Sequence, residues 1–303
     1  MVATLKELAN QYAKKQPKMV DTLTEEAPIL QLIPFEEASH GLWNVYEDVS
    51  GVSGPSFVDM NAALPSVTVD SDLKKIDLNI LGGEMEVPED TATMFGGKTK
   101  YFTKKMDVIL REAGKTAEQK ILYDNFRQYA IDNSNTIDAG AATNDCYSIV
   151  AVRFVKGVTT GLYSPHGFKQ GAMMDVQPIN NGGLYKSTQA ATSGVLVYGI
   201  RMKAFFGLQI ADSKTVGAIV NINSSNVPTE AEINELIATV RGRPENTKLF
   251  MHDKCKNLLY SHKNDQMHMT PLEKDFNTLI DKWNGIPIHT SYNFYDGTED
   301  AVS

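Results

Sequence analysis

Residues 42–133 combine two strand-like stretches with one long helix. The stretches, 42–49 and 67–81, have the composition of strands, but neither has enough apolar residues to form a core of its own. The segment between them is rich in Gly, Ser and Pro, which are turn-forming residues. It also carries four apolar residues: Phe57, Val58, Met60 and Leu64. Because an isolated two-stranded ribbon is marginally stable in water and an apolar tip favours docking, we predict that this arm binds neighbouring molecules.

A long amphipathic helix is predicted over residues 102–132. Its apolar residues recur three or four positions apart, at Phe102, Met106, Ile109, Ala113, Ala117, Ile121, Leu122, Phe126 and Tyr129. About thirty helical residues would span roughly 45 Å, more than the width of a small domain. Gly114 lies in mid-span, where glycine costs about 1 kcal/mol relative to alanine, and is a candidate bend. The pair Gly82-Gly83 permits a sharp change of direction before the helix. These three glycines are our hinge candidates.

The first 41 residues predict two helical pieces. One face of the first is marked by Leu5, Leu8, Ala9 and Tyr12. The second, near residues 19–32, is interrupted by Pro28 and closed by Pro34, since proline clashes with a continuing helix. Two interpretations stay open: this segment lies across a neighbouring molecule, or it caps its own.

After a polar connector, the pattern alternates strands with helices, and we place the main domain boundary near residues 134–146. Strands are expected at 148–155 and 248–252, and two or three within 194–222, where β-branched and aromatic residues dominate. Residues 156–193 should be mostly loop.

Local signals fix several element ends. Thr229 and Glu232 form a capping box for a helix that runs to about Arg241 and is stopped by Gly242. A further helix is expected over 253–263. Asn284-Gly285 predicts a tight hairpin, because both residues accept a positive φ.

Composition predicts a mixed α/β protein and argues against several classes: dedicated nucleic-acid binders, disulfide-rich proteins and membrane proteins. With 303 residues, 42% of them hydrophobic, the chain can bury a sizeable core. A net charge of -8 argues against a dedicated nucleic-acid binder, although a shell that encloses DNA is compatible with it. Cys146 and Cys255 are too few for a disulfide framework and suit a reducing compartment. We expect no signal peptide and no membrane span, because the chain lacks the necessary apolar runs.

Candidate chemistry is sparse. One metal-like constellation is present, namely His252, Cys255, His262 and His268, but the later spacings fit a structural zinc site poorly. There is no G-x-S-x-G, P-loop or dinucleotide-binding motif. We therefore predict no catalytic residues, no cofactor and no metal. A basic cluster, formed by Lys98, Lys100, Lys104 and Lys105, lies near the start of the long helix. Two interpretations stay open: a solvated helix end, which the pattern slightly favours, or a contact with phosphate or with an acidic patch on a neighbour.

The order of these parts resembles the major capsid proteins of tailed bacteriophages, whose fold is shared with encapsulin shells and the floor domain of herpesvirus capsid proteins. The most specific match is VYGIRMKAFFGLQIADSKTVGAIVNI at 197–222. It is similar to a tyrosine-led strand segment with K-x-x-x-G-L in one large group of phage capsid subunits. The sequences ATLKELA at 3–9 and IPF at 33–35 also fit that group.

The resemblance implies an α+β capsid fold with a definite division of the chain. Its expected parts are an N-terminal arm (1–42), an extended β loop (43–95), a spine helix with the start of a peripheral domain (96–145), an axial domain with peripheral strands near 194–222 (146–280), and a C-terminal strand segment (281–303). The extended loop would lie over an adjacent subunit.

The implied function is that of a structural, non-enzymatic capsid subunit. Copies would assemble into hexamers and pentamers of an icosahedral head around double-stranded DNA, in the host cytoplasm. Other expected partners are portal and scaffolding proteins, a decoration protein in some phages, and DNA through non-specific contact. The candidate interface residues are Phe57, Val58, Met60, Leu64, Lys104 and Lys105. Two alternatives stay open: an encapsulin-like compartment shell, and a metal-dependent enzyme centred on His252, Cys255 and His262.

Overall fold

The computed structural model describes residues 3–4, 26–60, 62–164, 174–189, 192–261 and 282–302. Its strands are β1 Ala3–Thr4, β2 Pro34–Glu37, β3 Trp43–Ser53, β4 Thr68–Asp77, β5 Asn79–Pro88, β6 Thr136–Asp138, β7 Tyr147–Arg153, β8 Thr159–Tyr163, β9 Met174–Pro178, β10 Tyr185–Lys186, β11 Leu196–Ile210, β12 Val216–Ile222, β13 Thr247–Met251, β14 Lys282–Trp283 and β15 Ile286–Thr290. Its α-helices are α1 Glu89–Met94, α2 Lys98–Lys120, α3 Gln128–Asp132, α4 Glu230–Thr239 and α5 Asp253–Ser261. A π-helical turn, Ile121–Arg127, joins α2 to α3.

The strands form two sheets and a separate ribbon. A 7-stranded sheet is built around the long strand β11, which pairs with β5, β8, β9 and β10, while β2 and β1 extend it beyond β8. A 6-stranded sheet has the order β14-β15-β13-β7-β12-β6. The strands β3 and β4 pair only with each other among the described residues. The predicted mixed α/β architecture is confirmed.

The second sheet is covered on both faces because its strands alternate their apolar side chains. Val150 and Val152 of β7 face a cluster that includes the long helix, through Leu122 and Phe126. Their neighbours Ile149 and Ala151 face a second cluster, which takes in side chains of α4 and α5. The long helix thus lies on one side of this sheet and the two shorter helices on the other.

Predictions that rest on local signals are confirmed. Thr229 and Glu232 form the reciprocal capping box of α4. Asn284 and Gly285 both have positive φ, 47° and 81°, in the turn between β14 and β15. The segment 194–222 forms two strands, β11 and β12. No helix among the described residues combines the length and apolar character needed to cross a membrane.

The strand prediction for residues 67–81 needs a correction. The stretch divides at the buried Leu78: β4 pairs with β3, whereas β5 joins the first sheet beside β11. The predicted change of direction at Gly82-Gly83 is wrong, because β5 runs through both glycines in continuous register with β11. A Cβ at Gly82 would lie 2.6 Å from the carbonyl oxygen of Met202, so close strand packing explains the glycine there.

Two further predictions fail where long-range pairing decides the structure. Residues 156–193 were expected to be mostly loop; this expectation missed three strands, β8, β9 and β10, of which β8 is fully buried and paired with β2 and β11. At the N-terminus, Ala3 and Thr4 pair as a strand with β2 instead of starting a helix. The other residues that define the first predicted helix lie outside the described part of the chain.

Residues 26–38 belong to the molecule's own core. They form turns and β2 instead of the end of the predicted second helix. Ala27, Ile29 and Ile33 are completely buried in the cluster that also holds Phe126. For these residues, the interpretation as a cap on the same molecule is confirmed.

The long helix is confirmed, with a change in its buried face. Residues 98–132 are helical throughout, and α2 continues through Gly114 without a break. In its middle turns the fully buried residues are Leu110, Gly114 and Glu118, one position beyond the predicted Ile109, Ala113 and Ala117. Those three residues line a cleft between α2 and β5 instead.

Candidate assembly interface

The ribbon formed by β3 and β4 is the most exposed part of the described structure. Its strands pair antiparallel from Trp43 opposite Asp77 to Ser53 opposite Thr68, with one irregularity between Val49 and Gly51. Strand β3 has 11 residues, which at about 3.3 Å each make a ribbon about 35 Å long. No third strand pairs with β3 or β4 among the described residues, and strands at the edge of a sheet readily accept a further strand.

The ribbon is held to the molecule at its base. Asn44 donates from Nδ2 to Oε1 of Gln209 at 2.5 Å, and the backbone N–H of Leu78 donates to the carbonyl of Leu42 at 2.9 Å. Trp43 stacks on His40, with 3.9 Å between ring centres. Beneath it, Leu78 packs in a small buried cluster with Ala38, Leu162 and Phe205. These contacts fix where the ribbon leaves the body.

The tip of the ribbon carries the predicted interface residues in the open. Phe57 is 108% exposed, Met60 93% and Leu64 82%, and Val58 is also exposed. More than half of the large exposed hydrophobic residues in the described part of the chain lie between Leu42 and Ile80. Burying one such side chain contributes about 1.5–3 kcal/mol, so this surface gains from being covered.

The predicted basic cluster divides into two parts. Lys98 is turned inward: its Nζ donates to the carbonyl of Gly182 and lies 4.8 Å from the ring centre of Tyr198. Lys100, Lys104 and Lys105 are exposed along the first turns of α2. Lys104 and Lys105, which are consecutive in the chain, and the residues of the ribbon tip are therefore all exposed in the single subunit.

A buried carboxylate that sequence reasoning missed ties both ends of the described chain to the long helix. Glu118 of α2 accepts hydrogen bonds from the backbone N–H groups of Ile29 (2.8 Å) and Leu30 (3.0 Å), from the Ser291 hydroxyl, and from Nδ2 of Asn293 (3.0 Å). Desolvation raises the pKa of Glu118, although these hydrogen bonds oppose the shift. The available sequence signal was its spacing of four residues from Leu122, an apolar position of the predicted helix face.

A second missed carboxylate acts in the same way near the chain end. Glu299 accepts from the Tyr123 hydroxyl at 2.6 Å and from the Ser148 hydroxyl, and Nε of Arg127 lies 3.3 Å from its Oε2. Burial raises the pKa of Glu299. Together the two carboxylates fix the segment after β15 to the helix, so the helix serves as a common support for distant parts of the chain.

The metal-like constellation is only partly described. His252 is buried at the start of α5, where its Nδ1 accepts from the backbone N–H of Lys254 at 3.0 Å, and burial lowers its pKa. Cys255 is buried in the core cluster beside α5. His262 and His268 lie outside the described residues. Within the described ranges, no group of three or more His, Cys, Asp or Glu residues is placed to hold a metal ion.

Comparison with known families decides the assignment. The family model described as "Major capsid protein GP7" matches residues 11–303. The chain belongs to this family. No curated protein matches the sequence of this capsid protein at a significant level.

Solved structures show that this capsid protein has a phage capsid fold. The bacteriophage epsilon15 structure matches with a TM-score of 0.56 and 13% identity, over 88% of this chain and 85% of that one. The bacteriophage JBD30 capsid matches with a TM-score of 0.54 and 9% identity, over 97% and 99%. An encapsulin from Synechococcus elongatus reaches a TM-score of only 0.45, at 10% identity over 65% and 88%. The match to a family model of major capsid proteins favours a capsid over the encapsulin-like compartment.

The capsid protein has a structural role as a shell component of the virion, and its copies associate with one another. For such a protein, the exposed ribbon is a surface available for association. The buried carboxylates Glu118 and Glu299 join distant segments of the folded subunit to which the ribbon is attached.

Proposed function

We propose that this capsid protein assembles into hexamers and pentamers of an icosahedral phage head that encloses double-stranded DNA. In this proposal the ribbon and its tip form the extended β loop, which lies over an adjacent copy. Assembly takes place in the cytoplasm of the bacterial host. The protein is a structural subunit of the shell and performs no catalysis.

The observation that supports the proposal most directly is the ribbon itself. It reaches about 35 Å from its base and ends in exposed Phe57, Met60 and Leu64. A ribbon of one copy that covers the next copy makes a head-to-tail contact, and repeated contacts of this kind close into rings. Its free edges additionally allow strand addition, in which backbone hydrogen bonds supply affinity.

The remaining regions have complementary roles in this proposal. Residues 96–145 form the spine helix and the start of the peripheral domain, and residues 146–280 form most of the axial domain, with peripheral strands near 194–222. The arm (1–42) and the C-terminal strand segment (281–303) complete the subunit. Of the three hinge candidates, Gly82 and Gly83 are held in the paired strand β5. Bending of the long helix at Gly114 is what allows one sequence to occupy both kinds of ring in this proposal.

The proposed partners follow from this role. Besides copies of itself, the protein binds portal and scaffolding proteins and, in phages that have one, a decoration protein. Contact with DNA is non-specific in this proposal, because the sequence contains no DNA-reading motif.

The decisive experiment removes the apolar surface of the tip. We would compare wild type with the variant Phe57→Ser/Met60→Ser/Leu64→Ser, co-expressed with the phage's scaffolding protein, by size-exclusion chromatography and negative-stain electron microscopy. We expect closed particles from wild type, and folded but unassembled protein from the variant. A matched control is Val195→Ser/Leu196→Ser, which changes exposed residues away from the ribbon. Wild-type protein that stays monomeric under these conditions would refute the proposal.

A further inference from the structure

The distal half of the ribbon is acidic as well as apolar. Between residues 47 and 72 there is no Lys, Arg or His. The same stretch carries the carboxylates Glu47, Asp48, Asp59, Asp70 and Asp72. Asp59 is exposed between the tip residues Val58 and Met60. Asp72 is exposed on β4 next to Leu73, which is 78% exposed. The tip therefore presents hydrophobic side chains among negative charges.

A second surface of the same chain has the complementary composition. Residues 94–106 carry Lys98, Lys100, Lys104 and Lys105 but no Asp or Glu. Met94 (87% exposed), Phe95 and Val108 (65% exposed) are exposed apolar residues within a few positions of these lysines in the chain. We call Lys100, Lys104 and Lys105, with these three apolar residues, the lysine patch. Its nearest acidic neighbours in sequence are Asp90 and Asp107. The positive end of the helix dipole lies at the first turns of α2 and disfavours cations there. Stabilisation of the helix therefore does not explain these lysines.

We propose that the distal ribbon of one copy docks on the lysine patch of a second copy. This inference rests on the proposed function and adds to it the acceptor surface and the source of its selectivity. Apolar contact supplies most of the affinity, while the opposite charges orient the partners and accelerate their encounter.

The charges also determine which contacts are excluded. Two ribbon tips repel each other, and so do two lysine patches, because the net charge is negative on the first surface and positive on the second. The attractive combination is tip to patch, which is a heterologous contact. Only heterologous contacts generate rings of more than two subunits, so the charge pattern favours ring formation over symmetric pairing.

The test is a charge swap in the full chain, under conditions in which wild type forms particles. The patch reversal is Lys104→Glu/Lys105→Glu, the ribbon reversal is Asp59→Lys/Asp72→Lys, and a third variant combines them. The matched control, Lys156→Glu/Lys214→Glu, makes the same change in net charge at two exposed loop lysines. Particle yield is measured by gradient sedimentation and electron microscopy, and folding by thermal unfolding.

We expect each reversal to lower particle yield by at least about tenfold, since like charges at an interface cost several kcal/mol. The combined variant should recover most of the yield, and the control should match wild type. A patch reversal that assembles like the control, or a combined variant no better than the single reversals, would overturn the docking. If the serine tip variant fails to assemble while the charge reversals succeed, the proposed function stands and this inference falls. Wild type that never assembles refutes both.

Discussion

Glu118 shows how one residue can make the subunit's stability depend on pH. Its carboxylate is fully buried and holds groups from the segment before β2 and from the segment after β15. Desolvation raises its pKa above the ordinary 4.5. The folded protein then binds this proton more tightly than the unfolded chain does. The contribution of Glu118 to the free energy of unfolding therefore falls as pH rises from 4.5 through the raised pKa, and it is lowest above that pKa.

We predict that Glu118→Gln removes this part of the pH dependence, because an amide does not ionise. The measurement is urea unfolding of both proteins at several pH values between about 4 and 8. Glu112→Gln is the matched control: it lies in the same helix, but its side chain is 73% exposed. Equal pH slopes for wild type and Glu118→Gln would show that Glu118 carries no such shift.

The sequence contains half of the information needed to find Glu118. It lies four residues before Leu122, an apolar position of the predicted helix face, and this spacing is a local signal for burial. Its partners could not be predicted, because Leu30 and Ser291 lie 88 and 173 residues away along the chain. Only the fold brings them together.

At the scale of elements, the adjacent glycines Gly82 and Gly83 of strand β5 have different surroundings. A Cβ at Gly82 would meet the carbonyl oxygen of Met202 at 2.6 Å, a backbone atom that cannot turn away, whereas a Cβ at Gly83 has nothing within 4 Å. We predict that Gly82→Ala destabilises the subunit by about 1–3 kcal/mol, because overpacking forces the strands apart. Gly83→Ala, the control, should change stability by less than about 0.5 kcal/mol. Chemical denaturation measures both, and equal effects would contradict the packing argument.

Elements were predictable where their signals are local. The capping box of α4 depends on Thr229 and Glu232, three residues apart, and the hairpin turn on the adjacent pair Asn284-Gly285. The division at Leu78 and the buried strand β8 depend instead on pairing with distant strands. Composition near Leu78 is strand-like on both sides, so only the choice of partner separates β4 from β5.

At the scale of the whole molecule, the long helix holds distant segments of the subunit together. The proposed assembly into two kinds of ring also needs the subunit to bend. Residues 98–132 are helical throughout, and both missed carboxylates bind distant segments to this helix. The helix departs from α geometry at Ile121–Arg127, in a π-helical turn. Helix kinks are frequent at π-helical turns, so this turn is a second candidate for flexure beside the predicted bend at Gly114.

A change at Gly114 tests whether the helix must bend there for correct assembly. Alanine favours the helix by about 1 kcal/mol over glycine, so Gly114→Ala should stiffen this turn. We predict a shift in the distribution of particle diameters or a larger share of malformed shells, measured by electron microscopy on protein that keeps its thermal stability. Gly114 is buried, so a second variant at the half-buried neighbouring position is included. This companion variant, Ala113→Gly, is expected to make the same turn of the helix more flexible. Particles of unaltered size and shape in Gly114→Ala would place the flexure elsewhere, with the π-helical turn as the next region to test.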